Sequence, residues 1–250
     1  MSANSGGSLQ QAQRDGLNFV WIDGCCIDRQ SSAELSEAIN SMYGWYQGAK
    51  YCCVYLHDVD QDDWENPFPR MAALGRQKGS GAPYLGCDLE ALETGNLGRY
   101  SVAQKMSWAA RRVTTLLEDG AYCLMGIFGV NMPLLYGEWE RTFLRVQEEV
   151  IKYNDDQIIF AWSMGKKRFS GLLAPSPACF VGCANTISAQ ATEQREPFSM
   201  TNRGLSITLK MTPWLADAYL AYLDCAEKAD AERSVDMGIF LRRLPRMIHT

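Results

Sequence analysis

The run Asp23-Gly24-Cys25-Cys26-Ile27-Asp28 holds two carboxylates and two thiols at the end of the apolar segment LNFVWID (17–23). Such a run can do chemistry if that segment is a strand of a parallel sheet, because open α/β sheets place their ligand crevice beyond the carboxyl ends of the strands. A second apolar segment, YCCVYLH (51–57), ends on His57, one of only two histidines, and would carry an imidazole to the same edge. The candidate crevice is therefore Asp23, Cys25, Asp28 and His57, with the catalytic role of each left open. A structural reading competes with it. Asp23 can cap the turn, Asp28 can support the next helix N-terminus through its dipole, and a lone histidine is more often structural.

Other chemistries find no footing. A P-loop needs G-x-x-x-x-G-K-[ST], and the Gly-rich stretch GRQKGSGAP (75–83) lacks the lysine in that place. No G-x-G-x-x-G follows a strand-like run, and no G-x-S-x-G nucleophile elbow occurs. Cys25-Cys26 and Cys52-Cys53 are adjacent pairs, too close for ordinary shared tetrahedral ligation. Cys179 and Cys183 could meet on a helix, but two thiols alone make a poor site. No metal and no cofactor is expected. The nine cysteines are odd in number and sit in apolar stretches, which suits small core thiols in a reducing compartment rather than a disulfide framework.

Several elements would have to position the candidate crevice. Residues 1–16 read as a flexible lead-in, and 17–23 as a buried strand. Ser31 and Glu34 form a capping-box pattern that opens a helix to about Gly48, with Leu35, Ile39, Met42 and Tyr46 on one stripe. With 51–57 as a second strand, this makes a βαβ unit with parallel strands and a right-handed crossover. Residues 58–100 lack an apolar period and read as irregular, with 62–86 disordered. Helices are expected at 101–112, with Ser101 as N-cap, at 118–128, ended by Gly129, and at 137–154. In the last, Trp139, Phe143, Val146 and Val150 form a core-facing stripe. Beyond residue 155 the runs IIFAW (158–162), LSITLKM (205–211), AYLAYLDC (218–225) and MGIFLRRL (237–244) read as strands.

The predicted architecture is α/β: an incomplete domain at 17–154 with 58–100 irregular, then a smaller β-rich region at 155–250. Hydrophobic residues at 47% and charged residues at 21% support a packed core. A net charge of −5 with mixed signs gives no basic face, which argues against a nucleic-acid partner. Lys166-Lys167-Arg168 and Arg242-Arg243 read as solvated edges. No run approaches the ~18 apolar residues that span a bilayer, and the polar start MSANSGGSLQQAQRDG has no leader pattern. No membrane partner is expected, and the expected location is cytoplasmic.

The block WIDGCCIDRQSSAELSEAINSMYGWYQGAKYCCVYLHDV (21–59) closely resembles the central block of fungal heterokaryon-incompatibility (HET) domains. SVAQKMSWAARRVTTLLEDGAYCLMGIFGVNMPLLYGEWERTFLRVQEEVIK (101–152) looks like the helical segment that follows in the same proteins. DDQIIFAW, GLLAPSPACF and MTNRGLSITL are similar to an uncharacterised region downstream of many HET domains. The resemblance implies a TIR-like, flavodoxin-like parallel sheet and a part in self/non-self recognition ending in programmed cell death. It also implies partners among proteins of incompatibility signalling, self-association included. Alternatives are a TIR-like NAD-cleaving hydrolase and a truncated, inactive relative. The family's leading motif, like SHTW, does not precede Leu17, and a segment resembling SRWFTRGWTLQEL is missing from 58–100. Its glutamate therefore transfers to no position here, since Glu65, Glu90 and Glu93 lack the right context. An enzyme that consumes NAD is not expected.

Overall fold

The computed structural model describes residues 9–10, 12–28, 30–49, 89–164, 171–188, 197–228 and 234–243. The chain divides into two compact units. One takes in Met1–Tyr84 and Asp88–Gly95, the other Leu85–Cys87 and Asn96–Thr250.

In the first unit, residues 17–22 are not a strand. They run without regular structure into a helical turn, α1 (Asp23–Cys26), and then into the long helix α2 (Ser32–Gly48). Aromatic packing explains the departure. Trp21 sets its ring edge-on against Trp45 at 5.2 Å and Tyr46 at 5.6 Å, so this segment is held by the last turns of α2. The predicted parallel partner, 51–57, lies outside the described residues, as do 58–88, and every strand pairing described is antiparallel. Ser31 caps α2 as its pattern requires, its Oγ accepting from Glu34 N at 3.3 Å. Of the expected stripe Leu35, Ile39 and Met42 are half-buried and Tyr46 is exposed, and Ala38 is the buried residue of the helix. Within the stretch expected to be irregular, α3 (Leu89–Thr94) is helical and ends at Gly95, whose φ of 66° suits a glycine terminator.

The second unit mixes helices and antiparallel sheet. Helix α4 (Val102–Ala109) starts on a complete capping box: Ser101 Oγ accepts from Gln104 N at 3.2 Å, and Ser101 N donates to Gln104 Oε1 at 2.9 Å. The single helix expected over 118–128 is two, α5 (Leu117–Tyr122) and α6 (Met125–Phe128), the latter closed by Gly129 in the left-handed conformation. Helix α7 (Glu140–Tyr153) buries Phe143, Val146 and Val150, as the spacing predicts. Trp139 departs from that stripe. It precedes the helix and is exposed.

The run IIFAW is not a strand either. Gln157–Phe160 is a 3-10 turn with all four residues buried, capped by Asp156 Oδ1 accepting from Ile158 N at 3.0 Å. A short apolar run cannot by itself separate strand from buried turn, and here the carboxylate decides. The sheet is built on β5 (Ala218–Lys228), which pairs with β1 (Thr186–Ser188), β4 (Lys210–Leu215) and β6 (Ser234–Arg242). LSITLKM divides between two sheets. Its start joins the hairpin of β2 (Ser199–Thr201) with β3 (Gly204–Ser206), and its end enters β4. Gly238 faces β5 so closely that a Cβ would stand 2.8 Å from Ala221 O, which fixes a glycine there. The core gathers Val102, Met106, Leu124, Met125, Val146, Ile158, Ile159, Phe160 and Phe180. Fully buried Gln147 ties α7 to the following loop, donating to Ala174 O at 2.7 Å and accepting from Ala174 N at 3.0 Å.

Candidate functional site

Of the four crevice candidates, Asp23 and Cys25 lie in α1, Asp28 follows it in the link to α2, and His57 lies outside the described residues. Asp23 opens α1, and its Oδ1 accepts from Gly24 N at 2.7 Å. Asp28 Oδ1 accepts from Gln30 N at 2.9 Å, while Asp28 N donates to Glu34 Oε1 at 3.0 Å. Cys25 and Cys26 are exposed free thiols, and Cys26 Sγ accepts from Ile22 N at 3.4 Å. The two carboxylates thus shape the backbone leading into α2.

Among the described residues, no group of three or more His, Cys, Asp or Glu could hold a metal ion. Cys179 and Cys183 line a cavity of about 360 Å³. Burial pushes the Cys183 thiol up, and its Sγ donates to Ala161 O at 3.2 Å, the pattern of a core thiol. No described helix is long and apolar enough to cross a membrane.

A different set of residues, in the second unit, forms a built surface. Glu118, buried in the first turn of α5, accepts from Gly137 N at 2.8 Å and Trp139 N at 3.1 Å. Tyr122, one turn along, donates its hydroxyl to Leu135 O at 3.0 Å and accepts from Leu135 N at 2.7 Å. Tyr136 donates its hydroxyl to Asp119 Oδ1 at 3.0 Å. From the α7 side, Arg145 pairs with Glu138 at 2.7 Å and donates to Pro133 O at 2.9 Å. The loop 133–139 is therefore clamped at nearly every residue by two helices. Backbone donors hold the Glu118 carboxyl below the usual carboxylate range, and burial with the Asp119 bond pushes the Tyr136 phenol up.

What the clamp displays is apolar. Trp139 is 67% exposed, Leu135 and Tyr136 are exposed, and the turn entering α5 adds Val113, Leu116 and Leu117. Trp139 also has φ 58° and ψ −124°, a conformation that side-chain-bearing residues avoid and that surrounding structure must impose. Trp139 is thus a large exposed aromatic on a clamped backbone. Sequence reasoning missed Trp139 because it falls on the α7 stripe by spacing. The available signal was the absence of a Ser, Thr, Asp or Asn cap before Glu140, with Gly137 just upstream.

The comparisons with known proteins bear on both units. A family model described as "Heterokaryon incompatibility protein (HET)" matches residues 2–111. Over 179 residues the chain is 37% identical to "Vegetative incompatibility protein HET-E-1" of Podospora anserina, an alignment covering 57% of this chain and 13% of that protein. The chain thus spans a small part of the length of that relative. No solved structure matches.

Proposed function

We propose, from the premise that residues 2–111 are a heterokaryon-incompatibility (HET) domain, that the chain serves fungal heterokaryon incompatibility as a protein-contact module. In this reading another protein of the incompatibility response docks on the Trp139 surface in the cytoplasm, and engagement leads to death of the fused cell. Two things support the role: the HET match, and the similarity to a protein named for vegetative incompatibility. The observation that carries the contact mechanism is the clamped loop 133–139. Its order is supplied before any partner arrives, so binding there loses little further conformational entropy.

Inducible expression in a filamentous fungal host tests the role. Growth arrest with loss of membrane integrity is expected within hours of induction. Hyphae that accumulate the folded protein and grow at the uninduced rate would refute it.

A further inference from the structure

We propose that the cavity beside the start of α4 binds a small phosphate-bearing anion through the ammonium group of Lys105. The cavity measures about 320 Å³, and its wall includes Arg99, Ser101, Gln104, Lys105, Asn154 and Asp156. That volume suits a phosphate ester or free phosphate and is at the small end for ligand sites.

The wall is fixed by groups already bonded to each other. Ser101 Oγ donates to Thr186 O at 2.8 Å, and Gln104 Nε2 donates to Ala184 O at 3.0 Å. Asp156 fills the helix N-terminus itself: Oδ2 accepts from Val102 N at 2.9 Å and Oδ1 from Ile158 N at 3.0 Å. Ser101 Oγ accepts from Gln104 N at 3.2 Å, so the N–H groups of Val102 and Gln104 are already engaged, and the charged donor on the wall is a side chain.

Lys105 is that side chain. It is only 8% exposed, lies on the cavity wall, and has no hydrogen-bond acceptor or ion-pair partner among the described residues. Its Nζ stands 5.5 Å from the centre of the Phe128 ring, a contact that offsets lost hydration only in part. Burial lowers its pKa, and Asp156 counters from a distance beyond an ion pair. A buried ammonium with three donors and no acceptor is what an oxyanion would complete. Arg99 also lines the wall, and Asp156 is the one carboxylate among the lining residues.

The test is a titration of the full chain with inorganic phosphate against chloride at matched ionic strength, followed by calorimetry. Saturable phosphate binding is expected, with Lys105→Met raising Kd by about tenfold or more, the scale of one charge-assisted bond. Unchanged affinity in Lys105→Met, or no saturable binding in the wild type, overturns the site. Acetic anhydride labelling of the wild type guards against a variant that fails to fold. Phosphate should slow acetylation of Lys105 while leaving Lys152 unaffected. Equal labelling of Lys105 with and without phosphate would also overturn it.

Discussion

Trp139 and Glu118 form the residue-scale centre of this account. A tryptophan at φ 58° is held against its own steric preference, at a cost of order 1–3 kcal/mol. Glycine would relieve that strain and lose some order in the unfolded chain. Trp139→Gly should therefore shift unfolding free energy by less than about 1 kcal/mol although it deletes the largest side chain. Urea denaturation followed by circular dichroism reads this directly. A loss of several kcal/mol would mean that Trp139 is a core residue after all. Glu118 makes the complementary prediction in pH. Its folded carboxyl titrates below the ordinary value of 4.5 because backbone N–H groups bond the ionised form. The stability it contributes is thus present above that value and lost as pH falls through the folded pKa. Thermal melts from pH 7 to pH 2.5 should fall more steeply below pH 4.5 in the wild type than in Glu118→Gln. Parallel curves would show that the carboxylate does not brace the loop.

At the scale of elements, caps were more legible than strands. Ser31, Ser101 and Gly129 act where their types and spacing place them, because a cap depends on neighbours within a few residues. Ser101→Ala should cost about 0.5–2 kcal/mol, near the upper end because Ser101 Oγ also donates to Thr186 O on β1. A melting temperature equal to the wild type would show that Gln104 alone secures the helix start. Strand identity depends on distant partners, and there the reading failed in instructive places. Residues 17–22 took their conformation from Trp21 docking on Trp45 and Tyr46, which apolar content cannot reveal. Gln157–Phe160 took theirs from Asp156, a single carboxylate just upstream. β5 was legible because its apolar run is long, and the chain around it supplies pairing on both sides.

For the whole molecule, the sequence blocks carried the family and the coordinates carried the surface. The HET match takes in the first unit and, in the second, all of α4 with Lys105, whereas the clamped loop 133–139 lies beyond it. Asp23, Cys25 and Asp28 stood out by type and spacing, yet their bonds are turn-forming. Trp139 and Lys105 were hidden because each fits an ordinary helical pattern, and only three-dimensional surroundings mark one as displayed and the other as buried without an acceptor.

The contact claim stands or falls on Trp139. The decisive measurement is hyphal viability after induction of wild type and Trp139→Gly at equal protein level, with folding of both checked in parallel. The account predicts that the folded variant spares cells the wild type kills. Killing undiminished by the substitution would contradict it.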